Sequence, residues 1–247
     1  MERVPRSTME ATGSQNVDIR SSKGNPKLGC TVTLVITTDG RKGRAEVNFR
    51  GLAPDGDVIR QLQANAPDNV RVTGSPQGWA RHQSLIEWLQ ALVVPFVAGA
   101  TFLLLLDRYP AHRNQQFRDA ITAENGTDTF IPGRCTSLLQ PLDLTVKRSF
   151  KCHLRTIWKV WKIGHTDDQG HCERITRRDV VRMTSLGWER VTQQTIMNGW
   201  RASGLVPEDD DEVGEGVEMV NDELEQFVEG IEFSEGEEDD DVFDDDV

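Results

Sequence analysis

The sequence has 247 residues, 37% of them hydrophobic, and a formal net charge of −12. That length suits one large domain with appendages, and the hydrophobic share allows a core while leaving part of the chain unable to fold. The charge is divided: residues 208–247 hold 21 of the 40 acidic residues and none of the 28 basic ones, so residues 1–207 carry a net of +9, which excludes a uniformly acidic protein and suits a polyanionic partner.

Residues 1–29 lack periodicity, carry Arg3, Arg6, Arg20, Lys23 and Lys27, and are broken by Pro5, Gly13, Gly24 and Pro26, so they read as a basic, loop-like leader. No basic, apolar, small-residue signal opens the chain. The four cysteines, Cys30, Cys135, Cys152 and Cys172, lack disulfide-framework spacing, so a reducing intracellular compartment is expected. Residues 30–38 (CTVTLVITT) alternate Val32, Leu34 and Ile36 with threonines, a half-buried strand pattern. Asp39-Gly40 opens a turn, and residues 44–50 (RAEVNFR) place Ala45, Val47 and Phe49 on one side and Glu46, Asn48 and Arg50 on the other, completing an antiparallel hairpin. Residues 51–78, rich in Gly and Pro, read as an extended connection. Residues 79–94 carry Leu85, Ile86, Trp88, Leu89, Leu92 and Val93 at helical spacing.

Residues 101–112 (TFLLLLDRYPAH) organise the rest. Five apolar residues, Phe102 to Leu106, lie between Gly99 and Pro110 and predict a strand buried on both faces, the kind found in sheets covered by helices. Asp107 then falls at the carboxyl end of the strand, where such sheets place their ligand crevices. The same position also suits a carboxylate capping the next helix, and the pattern alone leaves the two open. The surrounding apolar run, 91–106, is interrupted by Pro95 and Gly99 and is shorter than the ~20 residues a membrane span needs.

Residues 114–124 predict a short helix with Phe117 and Ile121 inward, and residues 129–131 a short strand. Next comes SLLQPLDLTVKRSFKCHLRTIWKVWK, with Pro141 suited to a first turn and Asp143 placed where the helix dipole favours a carboxylate. Val146, Phe150, Leu154, Ile157, Trp158 and Trp161 share one face. Lys147, Arg148, Lys151, Arg155 and Lys159 supply a basic side that reads either as phosphate contacts or as a solvated face of a core helix. Residues 165–173 read as a loop, and 176–183 and 188–200 as two helices separated by Gly187. Cys152, His153, His165, His171 and Cys172 match no standard zinc spacing and read as core and loop residues. The order hairpin, helix, strand, helix, strand, helix predicts an α/β sandwich with a mixed sheet.

LLLLDRYPAH, followed by FIPGRCTSLLQPLD and VKRSFKCHLRTIW, resembles the DDE endonuclease domain of pogo/Tigger/jerky-type transposases. VDIRSSKGN, the hairpin and GW…LIEWLQALVVPFV resemble the order of segments upstream in that family, so the likeness covers roughly residues 5–205. It implies a ribonuclease H-like mixed sheet flanked by helices, DNA as partner, a nuclear location, and Mg²⁺ or Mn²⁺ held by acids for phosphoryl transfer. By this resemblance Asp107 is the second metal-binding acid, His112 the following histidine and Asp143 the third acid. The first acid of the family lies in an Asn-x-Asp-Glu/Gln-like motif on a strand preceding the segment that PRSTM (5–9) resembles. No such motif is found here, so the first strand is expected to be missing, metal binding weak or lost, and catalysis impaired.

The expected organisation is a leader over 1–29, a ribonuclease H-like DDE domain over 30–164, a helical extension over 165–206 and an acidic disordered tail over 207–247. Apolar residues Val217, Val220, Leu224, Phe227 and Ile231 are spaced among the acids of the tail, a pattern suited to a protein partner. The alternative function is therefore a non-enzymatic nuclear scaffold that recruits a partner through this tail. Oligomeric state is not legible in the sequence.

Overall fold

The computed structural model describes residues 29–76, 82–167 and 169–206. All but the last residue of the leader, and the whole acidic tail with its partner-binding and disorder readings, lie outside these residues. Strand β1 (Cys30–Thr33) pairs antiparallel with β2 (Ala45–Arg50) in the register Cys30↔Phe49 to Thr33↔Glu46, which is the expected hairpin. An isolated bridge, Ile36↔Lys42, extends it toward the turn.

The stretch expected to be an extended connection instead holds helix α1 (Asp57–Ala64) and strand β3 (Val70–Ser75). The Gly and Pro residues that suggested a loop sit mostly at the boundaries: Gly56 precedes α1 and Pro67 lies in the turn before β3. Gly74, inside β3, is needed because the backbone of Leu52 passes so close that a Cβ would lie 2.8 Å from its carbonyl oxygen. β3 runs parallel to β2, from Ala45↔Val70 to Arg50↔Ser75. β2 is buried on both faces. Val47 and Phe49 pack with Ile59, Val70 and Val72, while Glu46 and Asn48 are covered from the other side, where Trp88 and Leu85 lie across the sheet.

Helix α2 (His82–Trp88) continues through a π-helical segment, Leu89–Val93, into α3 (Val94–Val97). Its apolar face joins Val35 to Leu106, Phe117 and Ile121 in one core cluster. Strand β4 (Phe102–Leu106) follows and pairs in parallel with β5 (Gly126–Phe130), which starts three residues earlier than the predicted strand. The expectation that β4 is buried on both faces is corrected: among the described residues it pairs only with β5, and Leu103 is 65% exposed. Leu106 points into the core, whereas Leu103 lies on the outer face of a two-stranded sheet. The described strands therefore form a three-stranded mixed sheet, β1-β2-β3, and a separate parallel pair, β4-β5, rather than one mixed sheet.

Helix α4 (Gln115–Ala123) buries Phe117 and Ile121, as its spacing predicted. After the short α5 (Thr136–Leu139), a second π-helical segment, Leu142–Val146, leads into the long helix α6 (Lys147–Gly164). Phe150, Ile157 and Trp161 form its buried face. Helix α7 (Arg177–Glu189) runs straight through Gly187, which was expected to separate two helices. Its missing side chain makes room for Leu154 and Phe150, and the break falls later, before α8 (Gln193–Ala202). Trp188, Val191 and Ile196 pack with Leu34, Ala45, Val146 and Phe150, so α7 and α8 share a core with the hairpin and α6.

Candidate functional site

Asp107 is the first residue after β4. Its Oδ1 accepts a hydrogen bond from the Tyr109 backbone N–H at 3.2 Å and lies 2.7 Å from His112 Nδ1. A carboxylate only accepts, so the imidazole carries its proton on Nδ1. His112 sits in a single 3₁₀ turn, Pro110–Arg113, with its ring edge-on to Tyr109 at 5.6 Å. Of the two sequence readings of Asp107, the cap is excluded: α4 is capped by Asn114, whose side chain accepts from Gln116 N–H at 2.9 Å. The strand end, the Asx-type turn and the short 3₁₀ segment together place Asp107 and His112 side by side.

Asp143 lies in the second π-helical segment, and its Oδ1 is 2.5 Å from Lys147 Nζ. Helix α8 holds this turn from a distance of some fifty residues: Thr145 Oγ1 donates to the Thr195 carbonyl at 2.8 Å. Gly199 lies so close that a Cβ would stand 2.6 Å from Thr145 Oγ1 and 2.8 Å from the Pro141 carbonyl oxygen. Nothing in the sequence pattern marked Thr195 or Gly199, because their partners are remote in the chain.

The structure thus joins Asp107 to His112 and Asp143 to Lys147, each acid being partnered within its own turn. Among the described residues no group of three or more His, Cys, Asp or Glu side chains is arranged to hold a metal ion. Mg²⁺ is usually held by one or two carboxylates together with waters and substrate phosphates, so Asp107 and Asp143 have the right chemistry for it, and among the described residues no third ligand is gathered with either. The other acid on this sheet, Asp128 of β5, is ion-paired to Arg118 at 2.9 Å. The Cys and His residues at 152–172 form no metal set either. Thr166 and Cys172 bridge a small hairpin, and His165 stacks on Trp161 at 4.2 Å.

From the Asp143 turn, α6 runs as a cationic ridge. Arg148, Lys151, Arg155, Lys159 and Lys162 are all exposed, while Lys147 is half-exposed and paired. Their three- and four-residue spacing confines the five exposed cations to a stripe about 80° wide and roughly 21 Å long. The buried face of the helix lies on the opposite side. His153 sits between these faces; burial, then the charges of Arg190 and Lys42, push its pKa below the ordinary histidine value. No described helix is long and apolar enough to cross a membrane.

The described body is thus α/β, with Asp107 at a strand end and Asp143 at the head of a basic helix. The chain belongs to the DDE superfamily endonuclease family, whose model matches residues 31–200. It is 23% identical to the human "Pogo transposable element with KRAB domain" over 224 residues, 85% of this chain and 35% of that protein. It is 22% identical to the mouse protein of the same name over 81% of this chain and 33% of that protein. A third relative, the human "Pogo transposable element with ZNF domain", is 25% identical over 55% of this chain and 9% of its own length. The chain therefore spans about a third of the first two relatives and a small part of the third. No solved structure matches it. The pogo-type resemblance read from LLLLDRYPAH and FIPGRCTSLLQPLD is borne out by these matches. The family implies divalent-metal chemistry in general; among the described residues no group of three or more ligating side chains is assembled for it.

Proposed function

We propose that this chain is a transposase-derived, ribonuclease H-like domain that binds DNA through α6 and cleaves it poorly or not at all. The observation that carries the reading is the exposed cationic stripe of α6, which begins one turn beyond Asp143 in a chain of the DDE endonuclease family. Five solvent-facing cations on one stripe suit contacts to a phosphate backbone, which are sequence-independent and salt-sensitive. Asp107 and Asp143 occupy the family's catalytic positions by the motif match, and Asp107 is oriented by His112. Their engagement by His112 and Lys147, with no third ligand gathered among the described residues, supports weak or lost binding of Mg²⁺ or Mn²⁺. A DNA-binding role supports a nuclear location.

Two measurements on the full chain test this. Duplex DNA binding should weaken with salt, and the paired substitution Arg155→Ala/Lys159→Ala should flatten the dependence of log K on log[salt] by about 1.8. A supercoiled-plasmid assay with Mg²⁺ or Mn²⁺ should show little nicking, unchanged by Asp107→Ala. Robust nicking lost in that variant would overturn the impaired reading. A salt-insensitive interaction would overturn the DNA reading. The same engaged acids also favour a second reading, a non-catalytic scaffold. That reading requires a partner pull-down that survives Asp107→Ala and Asp143→Ala and fails when residues 208–247 are removed.

A further inference from the structure

We propose that Asp143 withholds Lys147 from the phosphate-binding stripe of α6, so that the charge at position 143 sets how tightly the helix holds a nucleic-acid backbone. This rests on the reading of α6 as a DNA-contacting surface and extends it to the residue that tunes that surface.

Lys147 precedes Arg148, the first exposed cation of the stripe, and its direction on the helix lies about 40° from that of Lys151. By position it is the sixth cation of the track. By geometry it is taken: its Nζ lies 2.5 Å from Asp143 Oδ1, four residues back. The two side chains are 41% and 28% exposed, so the pair sits on the surface that a phosphate would approach. Part-exposed pairs are weak in isolation. Here, however, handing Lys147 to a phosphate would leave Asp143 unpaired beside a second anion, and the repulsion offsets what the new contact contributes. The pair therefore stays closed in the complex, and Asp143 both removes one cation and presents one negative charge at the head of the track.

Position 143 is also suited to bear this role without melting. Its segment is fixed by the Thr145 hydroxyl on the Thr195 carbonyl and by the close approach of Gly199 to Pro141, neither of which involves the Asp143 side chain. Replacing the carboxylate by an amide removes the charge and leaves those anchors in place.

The test is fluorescence anisotropy of a labelled duplex of arbitrary sequence, without divalent cations, over a KCl series. The full chain is compared as wild type, Asp143→Asn, Lys147→Gln and the double variant. Asp143→Asn is expected to bind about two- to fivefold tighter. Its salt dependence should steepen by about 0.9 in log K against log[salt], the signature of one added phosphate contact. Lys147→Gln should keep the wild-type slope, because the wild type does not use that cation. Arg148→Gln should lose about 0.9 by contrast, a comparison that stands even if the Asn variant does not fold. The double variant should show no steeper slope than wild type. A wild-type slope in folded Asp143→Asn, a steep slope in the double variant, or a loss in Lys147→Gln equal to that in Arg148→Gln each overturns the proposal while leaving the DNA reading intact. A wild-type affinity that ignores salt overturns both.

Discussion

Lys42 and Trp188 hold each other across 146 residues of sequence: the lysine ammonium donates to the Trp188 carbonyl, and the neighbouring Gly43 carbonyl accepts from the Trp188 indole N–H at 2.8 Å. Lys42 also donates to the carbonyls of Glu189 and Val191, at 2.8 and 2.7 Å. A single cation thus binds three carbonyls at and just beyond the end of α7, where the helix dipole favours positive charge. The hairpin turn and the C-terminal helices are fastened at one point.

Replacing Lys42 by Met should therefore cost about 2–3 kcal/mol, since charged hydrogen bonds contribute about 1.5–3 kcal/mol and the carbonyls would be left half-buried. Urea denaturation measures it. A change below about 0.5 kcal/mol would mean that water replaces the ammonium without loss.

His153 makes stability depend on pH. Its folded pKa lies below 6.5, because burial and the nearby Arg190 and Lys42 charges oppose protonation. As pH falls, the unfolded chain takes up the proton first, so stability declines below about pH 6.5 and levels off below the folded pKa. Thermal melts between neutral and mildly acidic pH should show that decline, and His153→Gln should reduce it. An unchanged slope in the variant would assign the effect to other groups.

Glu46 and Arg71 form a largely buried ion pair on neighbouring strands, their side chains 8% and 22% exposed. Burial raises the Glu46 pKa and outweighs the opposing pull of Arg71, while Glu87 adds a small upward push. Removing Arg71 as Met would leave a lone acid in the core, at a cost of about 3–5 kcal/mol near neutral pH. The sign is fixed by linkage. A raised folded pKa means that the folded state keeps the proton longer, so the penalty grows as pH rises above about 4.5 and shrinks in acid. Melts of Arg71→Met at two pH values decide it, and equal destabilisation at both would contradict the assignment.

Gly199→Ala weighs two opposed effects. Alanine gains about 1 kcal/mol of helix propensity over glycine. Against this, its Cβ would press on a backbone carbonyl and on Thr145 Oγ1, and such overpacking costs about 1–3 kcal/mol. The carbonyl cannot swing away as a flexible side chain would, so we expect a net loss of about 1 kcal/mol. Faster amide exchange in the Leu142–Val146 turn should accompany it. A stabilised variant would show that the turn yields freely.

Local patterns carried much of the fold. The hairpin, β4, α4 and the buried face of α6 follow from alternation and helical spacing, and Asp107, His112 and Asp143 stood out through strand-end position and motif. What was not legible was long-range. Helix α1 and strand β3 were hidden because Gly56, Pro67 and Gly74 mark boundaries and a close backbone approach, which composition cannot distinguish from a loop. The exposure of Leu103 depends on which strands flank β4, and the continuity of α7 through Gly187 depends on Leu154 filling the space. The contacts of the Asp143 turn divide the same way: Lys147 lies one helical turn from Asp143, whereas Thr195 and Gly199 hold Thr145 and Pro141 from across the fold.

The fit of Gly199 against Pro141 and Thr145 also bears on inheritance. A side chain at 199 leaves no room for the hydroxyl at 145 in its present place, so the two positions are energetically coupled. In relatives that retain this turn, a larger residue at one should be accompanied by a smaller residue at the other, a covariation visible across alignments.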